Sequence, residues 1–537
     1  MKKLIVGLLF SCSGIFLSAQ TPAIRSVNGV LNAASFAQQG MPNSGIAQGA
    51  LFTIFGTNLG PAALQEITDF GLNSPLGGTV VNITAGGNTV PAPMIFTVAG
   101  QVAAIMPSTT PVGAATVSVT FGGNTSAEYP IQVVANSFGA FSLNQQGTGA
   151  GVFSDVNFKP FLPNYSAMPD DVVIAWGTGL GALPYPDTNH PVGTNLTNIP
   201  VKLYVGEQLV ATDYQGPSGC CEGINQIVFH VPHGVTGCNV PVEVSINGVV
   251  SPTTTIPITT DASRICSDPN GISSSVWTAL FSKASFNLGF LSLDRTTETL
   301  PVLGAQTSDN GSAGFFHVDT QSFVGTPSLQ VAAIGSCVVT VYSGDSVSVF
   351  PTFTGLDAGP FINLQGPNGA KQLAPVSGQK GDYSADLTGG YLIPGAYTAS
   401  GTGGADVGAF SANLTAPPPL VWTNEASITN VDRATGVTVT WTGGAPGTFA
   451  KITGFSALVG PPAVVALFTC EAPVAQGTFT VGPNVLLQLP PSAIIDGFGT
   501  GLLSVGNSSA PTTFAAPGID FGYATSSVTS SSFVGYE

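Results

Sequence analysis

The residues best able to do chemistry in this chain are few. His230 and His233, in "HVPH", form the densest group among four histidines. On a strand, positions i and i+3 face opposite ways, so two such imidazoles converge on a metal only across a bend. The segment leading into them, "INQIVFHV", is written as a strand, and no metal ligand is assigned. Asp170 and Asp171 are adjacent carboxylates. Glycosidase chemistry needs two acids that flank a sugar bond from separate positions, so this pair marks a turn instead, although loop oxygens of this kind also suit Ca2+. Serines are abundant, yet no G-x-S-x-G elbow presents one as a nucleophile. "GTGLG" (177–181) and "GFGTG" (497–501) have the glycine spacing of a phosphate loop. That loop needs a following helix whose N-terminus faces the anion, and "ALPYPDT" after the first begins one poorly. Trp176, Trp277, Trp422 and Trp441 could stack on sugar rings if exposed. Trp176 aligns with Phe55 and Trp441 alternates with threonines, which places both in cores, whereas Trp422 follows a proline run and is the least constrained. No catalytic residue, cofactor or metal site is assigned, and the balance leans against an enzyme.

Seven cysteines occur, and Cys12 belongs to the N-terminal segment, which leaves six. Cys220, Cys221, Cys238 and Cys266 are expected to form two disulfides, with Cys220 and Cys221 bonded to different partners, because joining neighbours needs a strained ring. Two connectivities are then open. Cys221 and Cys238 precede neighbouring strands and could pair, and the other bridge would tie the exit segment "RICSDPNG" back to its domain. Cys337 and Cys470 fall in different expected domains and are left unpaired.

The elements that must position these residues are strands. Charged residues make up only 7% of the chain, while Gly (68) and Pro (41) abound, a palette for short strands and tight turns rather than charged helices. "LFTIFGTNLG" (51–60) returns as "VVIAWGTGLG" (172–181), at an offset of 121. Gln101 matches Gln226, Pro107 matches Pro232, and "VSVTFGG" (117–123) matches "VEVSING" (242–248), each at an offset of 125. Ordered landmarks of this kind indicate a duplicated domain. Val240, Val242, Val244 and Ile246 alternate with Pro241, Glu243, Ser245 and Asn247, which puts the first set on one buried face before an Asn247-Gly248 hairpin. Several strands in each unit, separated by turn signals, spell a sandwich.

"NAASF" (32–36), "FGTNLG" and "QVAAIMP", with "GCCEGINQIVFHVP" (219–232) and "ICSDPNG" (265–271), resemble secreted acidobacterial proteins carrying a paired IPT/TIG-like, immunoglobulin-like repeat. "YLIPGAYTASGTGGADVGAF" and "TVTWTGG" resemble the tail of some members. The resemblance implies a fold and a compartment, not an activity. The N-terminus supports that compartment: Lys2 and Lys3, the apolar stretch to Leu17 and Ala19 read as an export signal, with "LFSC" (9–12) as a rival lipoprotein box.

The expected architecture is all-β: a signal peptide at 1–19, immunoglobulin-like sandwiches at 25–135 and 136–261, and further β-rich domains at 266–415 and 421–537. "APPPL" (416–420) is read as the hinge between the last two, and "TSSVTSSS" as an edge strand or frayed tail. Net charge is −16 with no Lys/Arg cluster, so neither nucleic acid nor an anionic membrane is an expected partner, and no second apolar run is long enough to span a bilayer. The function expected is structural or adhesive, at the cell surface or beyond it, with extracellular polysaccharide or other surface proteins as partners. A carbohydrate-binding array is the first alternative, marked by exposed aromatics. A hydrolase in the C-terminal half is the second.

Overall fold

The computed structural model describes residues 21–68, 74–300, 303–326, 331–343, 353–460, 463–495 and 497–537. The export segment expected at 1–19, with Cys12, lies outside them. Strand accounts for 51% of the chain and helix for 5%, so the fold is all-β.

Residues 23–134 form a sandwich of two sheets. One runs Ala23–Ile24, Leu51–Thr57, Gln101–Ile105, Met94–Val98, Gln65–Glu66, with Val30–Asn32 also paired to Leu51–Thr57. The facing sheet runs Ile46–Ala47, Tyr129–Val134, Gly113–Phe121, Thr79–Ala85, Asn88–Pro91. Residues 139–258 repeat this order, without a counterpart to the edge strand Gln65–Glu66. Gly139–Ala140, Val172–Thr178, Asn225–His230 and Thr212–Pro217 make the first sheet, with Phe153–Ser154 on Val172–Thr178. Gly149–Ala150, Thr254–Ile258, Gly237–Ile246, Val201–Val205 and Gln208–Val210 make the second. Even the parallel edge pair recurs, Ile46 beside Val133 and Gly149 beside Thr254. Alternation drives the packing: Phe52 and Ile54 enter the first core, and Val173, Ala175, Val242 and Val244 the second.

The shared glycine phrase is a strand-ending turn. Asn225 Oδ1 accepts from the Gly179 and Leu180 amides at 2.9 and 3.0 Å. Gly179 has φ +101°, and a Cβ there would collide with the Ser137 carbonyl, so close approach of two backbones explains the glycine. No helix follows it, and "GFGTG" likewise leads into the strand Gly501–Ser508.

Residues beyond 266 keep two cores, one drawn mainly from 291–416 and one mainly from 420–536, but they are not separate domains in their sheet. One 15-stranded sheet crosses the proposed boundary. Twelve of its strands run in the order Ser336–Ser343, Val464–Pro473, Phe449–Leu458, Gly501–Ser508, Phe521–Tyr536, Ser285–Leu300, Gly304–Asp319, Asp382–Asp386, Gly369–Pro375, Ile362–Gly366, Gly395–Gly401, Phe410–Ala416, and Thr354–Gly355, Asn430–Val431 and Thr512–Phe514 pair at its flanks. "APPPL" is a crossing between strands rather than a hinge, and the Asn507 side chain donates to the Pro418 carbonyl at 2.7 Å. The Ser/Thr-rich end is neither edge nor frayed. It lies inside the sheet, parallel to Ser285–Leu300 and antiparallel to Gly501–Ser508. Its hydroxyls satisfy buried partners: Ser526 donates to the Leu293 carbonyl at 2.8 Å and Ser527 to Asp294 at 2.6 Å. Beside it, Arg295 grips Asp309 through two bonds of 2.7 and 2.8 Å, and the Leu392 amide also donates to that buried carboxylate.

Disulfide pairing corrects the sequence-based expectation. Cys220 bonds its neighbour Cys221, Cys238 bonds Cys266, and Cys337 bonds Cys470. The left-handed Gly219 and Gly223 bracket the first pair in a tight loop, which lets adjacent side chains turn together. The exit segment is tied back, but by Cys238. Cys337 and Cys470 sit opposite each other on adjacent strands of the shared sheet, so the supposed domain boundary never separated them.

Two outcomes follow for stability. Mapping of non-reduced peptides should recover these three bridges, and serine replacement of the 133-residue-separated pair should cost about 5 kcal/mol in the chain-entropy description, against about 3.5 for the pair 28 apart. Arg295→Met should cost about 3 kcal/mol in denaturant unfolding, because it strands a buried Asp309 charge; a loss below about 1 kcal/mol would contradict that role.

Candidate ligand platforms on the two repeats

The sequence-selected residues do not assemble into a catalytic centre. His233 Nε2 lies 3.0 Å from Asp170 and His230 Nε2 lies 3.2 Å from Asp213, so the two rings face different carboxylates at the surface. Asp171 is held by Arg264 at 2.7 and 3.0 Å. Among the described residues, no three His, Cys, Asp or Glu side chains are placed to hold a metal. Trp277, Trp422 and Trp441 are buried. The proline run leaves Trp422 no freedom, because Leu420–Trp422 pairs with Val437–Gly443 and sets Trp422 opposite Trp441.

Trp176 corrects the expectation of a core ring. Val173 and Ala175 point inward, so strand parity puts Trp176 on the outer face, half-buried. Gln226 is its cross-strand partner. Its indole N–H donates to Ser154 Oγ at 3.0 Å, and the Phe158 ring stands 5.9 Å away, centroid to centroid. Phe158 is 66% exposed and adopts φ +63°, a left-handed conformation that costs a bulky residue roughly 1–2 kcal/mol.

The turn that holds Phe158 is built by Asp155. Its Oδ1 accepts from the Asn157 and Lys159 amides at 2.8 and 2.9 Å, its carbonyl accepts from the Phe158 amide, and its Oδ2 accepts from the Tyr165 hydroxyl at 3.1 Å. Slight burial pushes the carboxyl up, but these donors and the Lys159 charge outweigh it and hold Asp155 below the ordinary carboxylate value. Lys159 caps the Tyr165 ring from 3.2 Å.

Repeat 1 carries the same arrangement. Phe55 takes the strand position of Trp176, with Gln101 across from it. Asn32 takes the place of Asp155 and accepts from the Ala34 and Ser35 amides at 2.8 and 3.0 Å. Phe36 takes the place of Phe158, also left-handed at φ +45°, with its amide on the Asn32 carbonyl and its ring 6.5 Å from Phe55. This copy is more closed. Arg25 lies 5.6 Å over Phe55, and Phe36 lines a crevice with Val341 and Gln488 of the C-terminal body. A sequence signal existed for these pairs. "NAASF" and "DVNF" each place an aromatic three or four residues after a turn-forming Asn or Asp.

No protein-family model and no curated protein matches the chain. Among solved structures, the titin I-band fragment I67-I69 is 9% identical, spanning 68% of this chain and 94% of that one at a TM-score of 0.11. SGBP-B from the Bacteroides ovatus mixed-linkage glucan utilization locus, solved with a mixed-linkage heptasaccharide, is 9% identical over 81% and 92% at 0.14. The Escherichia coli adhesin FdeC is 13% identical over 71% and 94% at 0.15. No activity follows from likeness at this level.

Asp155→Ala should free the repeat 2 turn without unfolding its sandwich. Amide exchange at 157–159 is expected to rise about tenfold while the global melting midpoint moves by less than about 3 °C. Unchanged exchange would show that the Asp155 carboxylate does not hold Phe158.

Proposed function

We propose that this multi-domain β-sandwich protein is an extracellular adhesive protein whose repeat 2 binds neutral polysaccharide across Trp176 and Phe158. The observation that carries this is Phe158 itself. A large apolar ring, mostly exposed and held left-handed by a dedicated turn, contributes little to the core and bears a backbone cost, so its benefit lies in a bound partner. Trp176 and Phe158 offer apolar faces suited to the C–H faces of sugar rings, while Gln226 supplies an amide donor and acceptor for hydroxyls. The paired copy in repeat 1 supports tandem engagement of a chain-like ligand, with the Arg25-covered site as the weaker partner.

Three disulfides fit an oxidising compartment, and no helix among the described residues is long and apolar enough to cross a membrane. Export through residues 1–19 and kinship with the acidobacterial IPT/TIG-like proteins belong to the same proposal.

Affinity electrophoresis of the protein lacking residues 1–19 through gels containing soluble neutral polysaccharides provides the test. At least one polysaccharide should retard it, and Phe158→Ala should weaken that binding roughly tenfold without lowering the melting temperature, with Trp176→Ala weaker still. Undiminished binding by Phe158→Ala, or no retardation across neutral polysaccharides, would overturn the assignment.

A further inference from the structure

The outward face of repeat 2's second sheet ought to be wet. Val242, Val244 and Ile246 point into the core, so Glu243 and Ser245 point away from it, yet Glu243 is only 1% exposed. The C-terminal body covers it with the Pro483–Leu486 turn of helix and with Gln488. Glu243 Oε2 accepts from Asn484 Nδ2 at 2.7 Å, and the same nitrogen donates to Glu207 Oε2 at 2.8 Å. Glu207 sits left-handed at a hairpin tip, φ +69°, and its other oxygen accepts from the Cys337 amide at 3.1 Å. Cys337 is bonded to Cys470, whose neighbour Glu471 is 4% exposed. Glu471 adjoins Asn270 and Asp268, and Asp268 accepts from the Cys238 amide at 2.9 Å. Four carboxyls thus line one joint between repeat 2 and the C-terminal body.

Donors in this joint are amides and one hydroxyl, with no cation among them. Thr253 Oγ1 lies 2.6 Å from Glu243 Oε1 and 3.1 Å from Gln488 Oε1, two acceptors for one hydroxyl hydrogen. Gln488 Oε1 already takes the Thr253 amide and its Nε2 donates to Glu243, which fixes the orientation of that side-chain amide and leaves two acceptors facing one hydroxyl. Glu471 Oε2 and Asn270 Oδ1 are both buried acceptors with no hydrogen-bond partner. A proton on Glu243 Oε1, donated to Thr253 while Thr253 donates to Gln488, would turn that 3.1 Å contact into a hydrogen bond and remove a buried charge. A proton on Glu471 would neutralise a buried carboxyl whose Oε2 accepts no hydrogen bond.

We propose that the joint is proton-locked: Glu243 and Glu471 are carboxylic acids while the C-terminal body is docked on repeat 2, and losing those protons loosens the docking. The surroundings agree. Burial, reinforced by the Glu207 charge, pushes Glu243 up to about 8 despite its hydrogen bonds from Thr253, Asn484 and Gln488. Burial pushes Glu471 up to about 7; the Lys451 charge and Asn270 oppose this and Asp268 adds to it. Burial also raises Asp268 to about 6 and raises Glu207. Tyr204 is the cross-strand neighbour of Glu243 and Lys202 that of Ser245, while Lys451 is the neighbour of Glu471, so cations stand at the margin of the joint. The sign is set by the raised values. The docked form holds protons that the unfolded chain releases near 4.5, so the stabilisation is whole below that pH and is lost as pH rises through about 7 and 8.

Infrared spectroscopy of the folded full chain reads the protons directly. At about pH 6 a protonated-carboxyl C=O band should be present, smaller in Glu471→Gln, and it should vanish by about pH 9. Amide exchange at 484–489, corrected for intrinsic rate, should then quicken about tenfold between those pH values in the native sequence and stay flat in Glu243→Gln/Glu471→Gln. No carboxyl band at pH 6, or an equal pH response in the double variant, would overturn the proposal. So would a gain in melting temperature on adding Ca2+ at pH 8 that Glu471→Gln abolishes, since the orphan oxygens would then hold a cation. If the double variant does not fold, the band in Glu471→Gln alone decides.

Discussion

Residues 266–537 are joined into one sheet because the last strand lies inside it, although their buried side chains gather in separate cores. Phe521–Tyr536 pairs with Ser285–Leu300 on one side and Gly501–Ser508 on the other. Removing it would leave two long rows of unpaired backbone N–H and C=O groups in the middle of the sheet. Its hydroxyl-rich composition suits that place, since short side chains such as Ser526 and Ser531 pack closely and still find partners. The contacts join residues 233 apart in the chain, so this order can form only after nearly all of the body has been made.

That body then decides which faces of the repeats meet water. It covers the second sheet of repeat 2 through Asn484 and Gln488, and the Cys238–Cys266 bridge anchors the passage between them. The first sheet of repeat 2 stays open, and Trp176 and Phe158 stand on it. Repeat 1 is also tied in place. Asn32 Nδ2 donates to the Ser137 carbonyl at 3.2 Å, the Leu51 amide to Thr178 at 2.8 Å, and Asn43 Nδ2 to the Val250 carbonyl at 3.1 Å. The two platforms are therefore held in a set relation rather than strung on a flexible linker.

The covered and open faces differ in electrostatic character. Cations flank the covered face but none completes a pair with Glu243, so its buried acids satisfy one another through amides, a hydroxyl and protons. On the open face the Trp176 and Phe158 rings stand beside Gln226, while the charged groups of that sheet are paired, His230 with Asp213 and Asp171 with Arg264.

Local pattern alone was enough to establish the strand-built fold, the duplication and the turns. Alternation at Val240–Asn247 defines which residues share a face, and the glycines at 177–181 mark where backbones turn or touch, because both depend on neighbours a few residues away. Parity does not say which face is dry. Glu243 has the position of a solvated residue and is buried by a helix 240 residues later; Trp176 has the composition of a core residue and lies outward. Cysteine partners and the interior place of Phe521–Tyr536 were hidden for the same reason. Each is settled by which distant segment arrives against it, and only the tertiary structure brings those segments together.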